Sequence, residues 1–177
     1  MTPPLNNTLL LRKKISGNYA PYKNRFGRGV RTNTDGTPRN HSGIDLLAVP
    51  GTPIYAIGSG ELYWKNTADY GLQLLLEFEP GLFAHYAHLS QILAEASIGD
   101  AGMIIFHAEA HHHHSSKWNL IGTVQEGDEI GQTGKSGNAC NMPTDEDHLH
   151  FEIRKTKKST GLSFSDCLNP ENYFWVL

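Results

Sequence analysis

The sequence has few cysteines and no long apolar run. Cys140 and Cys167 are far from any CxxC spacing, so they form no recognisable zinc or redox motif. They could pair or stay free, and two cysteines are too few for a disulfide scaffold. No stretch approaches the roughly 20 apolar residues that a membrane-spanning helix needs. We therefore expect a domain that is stabilised by an apolar core, without a membrane span.

The sequence also lacks an excess of charge of one sign. Its 15 basic and 18 acidic residues give a net charge of −3, which is no electrostatic footprint for nucleic acid or an anionic membrane. The run ending in Gly134-Lys135-Ser136 is not a phosphate loop, because position 129 is Glu129 where that motif requires glycine. Nucleic acid and nucleotides are therefore not expected partners.

Long amphipathic helices are missing, whereas turn residues are abundant. Eighteen glycines and nine prolines separate short apolar runs, which predicts a mainly β fold with few short helices. We expect an N-terminal arm over residues 1–24 and one domain over residues 25–177. Residues 52–57 and 61–64, joined by a glycine-rich turn, are predicted to form a β-hairpin.

Residues 148–154 alternate strictly between polar and apolar side chains. On a strand, this alternation puts the polar residues on one face and the apolar residues on the other. His148 and His150 then lie side by side, roughly 6.5 to 7 Å apart along the chain. This spacing suits a metal ligand beside a proton-transfer group. Taken alone, two ordinary histidines on a strand are an alternative, and a cross-strand ion pair explains Glu152 and Arg154 without a function.

His41 and Asp45 are four residues apart at the start of another apolar run. Ser42 and Gly43 between them disfavour a helix, so we expect a loop that turns into a strand. From that geometry both side chains can reach one ion.

Residues 82–90 are a further strand candidate. A period of two places Tyr86 and His88 on one face and His85 on the other, so His85 is expected to point away from a site that contains His88. Tyr86 is a candidate for hydrogen bonding to a substrate, with strand packing as the alternative.

These residues form a possible zinc site. A catalytic zinc usually takes three ligands from His, Asp or Glu and keeps a fourth position for water. His41, Asp45 and one histidine of the pair at 148 and 150 would supply that set, which leaves the other histidine and His88 for proton transfer. No HExxH motif supplies a glutamate base, so an imidazole must serve. Activity is therefore expected to fall in acid.

Three separated motifs occur in one order: His41-x-x-x-Asp45, then Tyr86-Ala87-His88-Leu89-Ser90, then His148-Leu149-His150. In this order they resemble the lysostaphin/LytM-type zinc endopeptidases, which hydrolyse peptide cross-bridges of bacterial peptidoglycan. The resemblance runs from about Phe26 to Arg154. Three motifs in the right order are far more specific than any one of them alone.

The resemblance implies a role for each motif residue. His41, Asp45 and His150 would bind Zn²⁺, and His88 and His148 would be the catalytic histidines. It also implies an antiparallel β-sheet whose loop-walled groove holds an extended peptidoglycan peptide. The sequence departs from the pattern between Ser90 and Gly127, where a longer connection contains four histidines at positions 111–114. We expect an exposed loop there; the alternative is a segment that recruits metal or covers the groove.

The expected function is hydrolysis of peptidoglycan cross-links by a zinc endopeptidase. A catalytically inactive LytM-like regulatory or wall-binding module is the alternative, which the five filled positions disfavour. The leucines at 9–11 precede the basic residues at 12–14, the reverse of a secretory signal, so no export signal is expected. This suggests a mature fragment, a phage-type lysin or an antibacterial effector delivered by a secretion apparatus. We favour the effector, which would act in the periplasm or cell wall of a target bacterium and have an immunity protein as partner.

Overall fold

The computed structural model describes residues 1–11, 14–15, 18–19, 21–111 and 114–177. Its strands, in chain order, are β1 (Lys14–Ile15), β2 (Asn18–Tyr19), β3 (Gly27–Thr32), β4 (Pro38–His41), β5 (Ile44–Leu47), β6 (Pro53–Tyr55), β7 (Gly60–Thr67), β8 (Gly71–Glu79), β9 (Leu82–Ser97), β10 (Met103–Glu109), β11 (Ser115–Val124), β12 (Glu129–Thr133), β13 (His148–Arg154) and β14 (Cys167–Leu168).

The helical segments among the described residues are short 3₁₀ turns, at Pro21–Asn24, Gly99–Ala101, Gly137–Asn141, Thr144–Glu146, Phe164–Asp166 and Pro170–Asn172. None of the helices in this part of the chain has the length and apolarity that crossing a membrane requires. The prediction of a mainly β fold with few short helices is confirmed.

One ten-stranded sheet makes up most of the molecule, and β9 lies at its centre. β9 has 16 residues. Its first half pairs with β8 and β13, and its second half pairs with β12 and β10. The pairings between the named strands that the structure describes are all antiparallel. Because β9 contacts so many strands, residues that are distant in sequence meet along it.

The apolar face of β13 packs into the main core. Leu149, Phe151 and Ile153 are fully buried there, and the Phe151 ring meets Tyr86 edge to face with centroids 5.1 Å apart. Burying one such side chain contributes roughly 1.5 to 3 kcal/mol, so these three fix which face of β13 points inward. Its polar face is therefore held in one orientation by the packing behind it.

The predicted hairpin between residues 52–57 and 61–64 is wrong. β6 pairs with β12, while β7 pairs with β8 and β11. A Cβ atom on Gly60 would lie 1.8 Å from the carbonyl oxygen of Glu77, so this glycine allows β8 to approach closely. The glycines of this turn serve the contact between strands of the large sheet and not a two-strand hairpin.

The first residues of the predicted N-terminal arm pack on the domain beside β5. Leu5, Leu10 and Leu11 are buried, and the Leu11 amide donates to the carbonyl of Asp45 at 2.9 Å. Positions 12, 13, 16, 17 and 20 of the arm lie outside the described residues. Residues 9–11 thus pair, in the manner of an edge strand, with the segment that carries Asp45.

Both cysteines are free thiols. Cys140 is exposed and Cys167 is buried. Burial raises the pKa of Cys167 to about 12, so its thiol is unreactive at neutral pH.

Candidate metal centre

Strand pairing brings the residues of the proposed metal site together. In the antiparallel pair of β13 and β5, His150 lies directly opposite Asp45. His41 ends β4, four residues before Asp45, and its side chain reaches the same point. All three side chains are at least 95% buried. The expected loop that turns into a strand is a short β4 followed by a two-residue break and β5.

The three donor atoms are spaced as a tetrahedral zinc site requires. His41 Nε2 lies 3.2 Å from His150 Nδ1 and 3.3 Å from Asp45 Oδ1, and His150 Nδ1 lies 2.9 Å from Asp45 Oδ1. Two ligands of a tetrahedral zinc with bonds of ~2.05 Å are roughly 3.3 Å apart. The two imidazole nitrogens and one carboxylate oxygen therefore fit a zinc ion with shifts of only a few tenths of an ångström.

The atoms of these ligands that point away from the centre are held by other protein groups. His41 Nδ1 donates to the Arg25 carbonyl at 3.0 Å, and His150 Nε2 donates to Glu152 Oε1 at 2.8 Å. The guanidinium of Arg31 donates to Asp45 Oδ2. Such outer contacts fix the tautomer and orientation of a metal ligand. Each ligand is thus oriented before any metal binds.

The charges around the site shift the pKa values of the three ligands in different directions. Burial lowers the pKa of His41, which keeps the ring neutral. Burial alone would lower the pKa of His150, but its hydrogen bonds to Asp45 and Glu152 outweigh that and raise it. Burial opposes ionisation of Asp45 as well, yet Arg31 and the nearby histidines hold its pKa well below the usual range. The site therefore contains a firmly ionised carboxylate.

His88 and His148 face this donor set from one side. Their ring centroids are 5.4 Å apart, and His148 Nε2 lies 3.7 Å from Asp45 Oδ1. Their Nδ1 atoms donate to the carbonyls of Ser136, at 3.0 Å, and Glu146, at 2.7 Å. The proton is then on Nδ1 in both neutral rings, so both Nε2 atoms are free to accept a proton. Burial, with the neighbouring His150 and His148, lowers the pKa of His88 to about 3.

His88 adopts a backbone conformation that residues other than glycine rarely adopt. Its φ is 63°, and the register between β8 and β9 shifts next to it. The His88 amide donates to the Tyr70 carbonyl at 2.9 Å. The next residue, Gly71, has a φ of 65° and lies against Ser136, where a Cβ atom would be 2.5 Å from the backbone carbonyl carbon. Backbone strain of this kind costs on the order of 1 to 3 kcal/mol and is typical of functional residues.

The bulge at His88 also explains an expectation that was wrong. Strict alternation predicted that His85 and His88 point to opposite faces, with His85 away from the site. His85 lies opposite Glu152 in the β9–β13 pair, and its ring centroid is 6.4 Å from that of His150. The irregular backbone turns His88 back toward the same face. Both histidines therefore lie on the site side of the sheet.

Behind His150, Glu152 forms the centre of a buried polar network. It is fully buried, it accepts a hydrogen bond from Ser42 Oγ at 2.6 Å, and it pairs with Arg154 on the same strand. Burial opposes its ionisation, but Arg154 and the hydrogen bond from His150 hold its pKa well below the usual range. Glu152 and Arg154 pair with each other along β13 and not across strands as expected, and Glu152 is in addition a direct partner of a metal-ligand candidate.

Tyr86 is not at the site. It is fully buried in the core, and its hydroxyl donates to the Tyr55 carbonyl at 3.1 Å. The strand-packing alternative describes it, and we do not assign it to a substrate. In the connection with four histidines, His111 and His114 are exposed, and positions 112 and 113 lie outside the described residues.

Sequence reasoning missed two residues that border the site. Arg31 binds Asp45 from β3, and Tyr70 stacks on His88 with centroids 6.2 Å apart while its carbonyl holds the His88 amide. The negative charge of Glu152, together with burial, raises the pKa of Tyr70 to about 12. Both residues lie in Gly-rich or turn segments that carry no periodic pattern, so the sequence offered no signal for either.

Part of the chain matches a known protein family. The model of Peptidase family M23 matches residues 39–116, a span that holds His41, Asp45 and His88. β13, with the remaining pair of histidines, lies beyond that span.

Individual relatives agree with this match. The chain is 27% identical over 167 residues to an uncharacterized metalloprotease of Buchnera aphidicola subsp. Baizongia pistaciae, and it spans 35% of that protein's length. Its fold is similar to a zinc-containing peptidase from Vibrio cholerae, with a TM-score of 0.54 and 21% identity over 85% of this chain and 35% of that one. It is also similar to the catalytic domain of the prophage-encoded M23 protein EnpA from Enterococcus faecalis, with a TM-score of 0.50 and 23% identity over 82% of this chain and 89% of that one.

The two solved structures share the fold, and the family match covers the part of the chain with the first three site residues. The antiparallel sheet and the motif order expected from the resemblance to lysostaphin/LytM-type domains are both present. Residues 39–116 match the model of Peptidase family M23, and most of the chain is similar to an uncharacterized metalloprotease.

Proposed function

We propose that the chain is a zinc-dependent endopeptidase that hydrolyses peptide cross-links of bacterial peptidoglycan. The observation that carries the proposal is the convergence of His41, Asp45 and His150 at distances of 2.9 to 3.3 Å, with two further histidines facing them. A metallopeptidase needs a Lewis acid, a base and an acid near one carbonyl. This site provides residues for all three.

The three ligands would hold the metal through two neutral imidazoles and one carboxylate. A zinc ion in such a set supplies Lewis-acid chemistry, because it lowers the pKa of a water and polarises a carbonyl. Arg31 would keep Asp45 oriented through the oxygen that faces away from the centre. Glu152 would keep the His150 ring in the tautomer that leaves Nδ1 free.

His88 and His148 would move the protons. Each presents an unprotonated Nε2 toward the donor set, held there by a backbone carbonyl on the other ring nitrogen. One would take a proton from the attacking water and the other would give one to the leaving amine. The same tautomer in both rings leaves either assignment of base and acid compatible with the geometry.

The test combines metal analysis with digestion of purified sacculi, followed by mass spectrometry of the released muropeptides. The wild-type chain is expected to contain zinc and to release fragments. His88→Asn should keep the zinc and lose about 10²- to 10⁴-fold in rate, because asparagine tolerates the positive φ of His88 but cannot act as a base. His107→Ala, which changes an exposed histidine, is the matched control.

Two outcomes would overturn the proposal. A zinc-loaded wild-type chain that releases no fragment would favour the alternative, a regulatory or wall-binding module of this family without activity. Full activity in His88→Asn would remove His88 from the mechanism. The proposal is supported if the wild type and the His107→Ala control release fragments and His88→Asn does not.

We further propose that the chain acts in the periplasm or cell wall of a target bacterium, as a delivered antibacterial effector with a periplasmic immunity partner. Peptidoglycan is found there, and this is the support for the setting. Expression in a bacterial host with an added export signal should lyse cells, whereas expression without it should not. Equal growth of both cultures would contradict this setting.

A further inference from the structure

A second cavity adjoins the metal centre. The cavity that contains the donor atoms has a volume of about 360 Å³, and the second has about 640 Å³. The two share the lining residues Arg39, Asn40, Ser42 and Tyr70. An extended peptide that crosses the metal centre can therefore continue into the second cavity.

Basic side chains dominate the walls of the second cavity. The lining contains four cations, Arg39, Lys65, Arg154 and Lys158, and one carboxylate, Asp69. Arg154 is paired with Glu152, and Lys158 Nζ lies 3.6 Å from Asp166. Among the residues that the structure describes, no carboxylate oxygen lies within 4 Å of a side-chain nitrogen of the other two. We call Arg39, Lys65 and the space between them the cationic pocket.

Lys65 is the strongest indication that this pocket takes an anion. The residue is 5% exposed, and its Nζ donates to the Ser159 carbonyl at 3.1 Å and lies 4.4 Å from the centre of the Trp118 ring. Burial, with the charge of Arg154, lowers the pKa of Lys65 to about 8, so most molecules remain protonated at neutral pH. An ammonium has three protons to donate. The charge of Glu152 favours the protonated form of Lys65, but that carboxylate is already bonded to Arg154 and His150. A ligand that supplies negative charge would therefore further stabilise the buried ammonium.

We propose that the cationic pocket binds a free carboxylate of the peptide substrate, so that the preferred cross-link has a carboxylate beside the scissile bond. This inference rests on the proposed function and narrows its substrate class. In a direct D-alanyl-diaminopimelate link, the leaving amine is attached to a carbon that also carries a free carboxylate. A glycine bridge has no such group. The pocket therefore favours the diaminopimelate type.

The proposal is tested by binding of two cross-linked peptides. They are identical except that one has a carboxamide in place of the carboxylate beside the scissile bond. The protein is the full zinc-loaded chain with His148→Ala, which prevents turnover during isothermal titration calorimetry. The carboxylate peptide should bind about ten- to a hundredfold more tightly, as expected for a charge-assisted contact. Equal Kd values would overturn the proposal.

Variants of the pocket locate the preference. Lys65→Met and Arg39→Gln, each combined with His148→Ala, should weaken binding of the carboxylate peptide about tenfold and leave the carboxamide peptide unchanged. Lys117→Gln, an exposed lysine outside the cavity, is the control. Arg39 is exposed, so its substitution tests the pocket even where loss of zinc shows that Lys65→Met has disturbed the fold. A preference that survives in Arg39→Gln and in a zinc-loaded Lys65→Met would overturn the assignment.

Hydrolysis by the wild-type chain separates this inference from the proposed function. No cleavage of either peptide, together with tighter binding of the carboxylate form, would overturn the activity and support the pocket. Cleavage of both peptides at the same kcat/KM, with equal Kd values, would support the activity and overturn the pocket.

Discussion

The metal centre and the cationic pocket are adjacent, but their polar groups are satisfied in different ways. In the metal centre, the histidines at 41, 88, 148 and 150 each have one ring nitrogen bonded to a protein acceptor and the other directed inward. In the cationic pocket, Lys65 and Arg39 have no such ionic partner among the described residues. The side chains of the metal centre are oriented by other protein groups. The cations of the cationic pocket are left to pair with a ligand.

This difference indicates which region determines reactivity and which determines selectivity. Oriented ligands bind an ion without rearrangement, so the centre has the same geometry for any peptide. Cations without a carboxylate within 4 Å bind most tightly to ligands that supply negative charge. Substitutions in the metal centre should therefore affect all substrates equally, whereas substitutions in the pocket should distinguish between substrates.

The largest expected effect comes from the two histidines of β13, which lie side by side and have different roles. His150→Ala removes one of three metal ligands and should lower zinc affinity by more than about 100-fold, with loss of activity. His148→Ala should keep zinc near the wild-type level and lower kcat by about 10²- to 10⁴-fold. Zinc content by mass spectrometry, with turnover of cross-linked peptides, measures both. Loss of zinc in His148→Ala, or retention of zinc in His150→Ala, would contradict the assignment of His150 as the metal ligand and His148 as the proton-transfer group.

Acidification should have the next largest effect on the metal centre. Hydrogen bonds to Asp45 and Glu152 raise the pKa of His150, so protons compete with the metal for Nδ1 at a higher pH than they would for an ordinary histidine. The pKa of His41 is lowered by burial and that of Asp45 is held well below its usual range, so His150 is the ligand of the three whose protonation is favoured. Zinc affinity should therefore fall as the pH falls, approaching roughly tenfold per unit once the pH is below the pKa of His150.

Competition with a zinc chelator at pH 7, 6 and 5 measures this dependence. His107→Ala should show the same slope as the wild type, since that exposed histidine is not in the site. An affinity that does not change over this range would contradict the role of His150 as a ligand.

The features that could be predicted from sequence are those set by a regular period. The alternation over residues 148–154 correctly placed Leu149, Phe151 and Ile153 in the core and His150 on the opposite face, because burial of the apolar side chains fixes the face of a strand. The spacing of His41 and Asp45 likewise indicated that both reach one ion, and the structure brings their donor atoms within 3.3 Å.

The features that could not be predicted depend on irregular backbone and long-range contacts. One residue with a φ of 63° turns His88 onto the same face as His85, and no local pattern signals such a bulge. The Ser136 carbonyl that orients His88 belongs to the glycine run that resembled a phosphate loop. Lys65 becomes a pocket residue only because Ser159 and Trp118 cover it from distant parts of the chain.

The smallest expected effect concerns the contact that orients the metal ligand from behind. Glu152→Gln keeps the size of the side chain but removes the charge that accepts from His150 Nε2. Loss of an outer carboxylate typically weakens metal binding by about 10- to 100-fold, so the variant should bind zinc more weakly than the wild type and more tightly than His150→Ala. Chelator competition at pH 7 measures the order of the three proteins.

This variant also tests the division between the two regions, because Glu152 lies between them. Its carboxylate pairs with Arg154, which lines the second cavity, while it orients His150 in the metal centre. If the metal centre alone depends on Glu152, saturating zinc should restore kcat and leave the preference for the carboxylate peptide unchanged. If the substitution frees Arg154 to bind the substrate, that preference should increase even at saturating zinc. A decrease in the preference at full zinc occupancy would contradict both and show that the two regions are not independent.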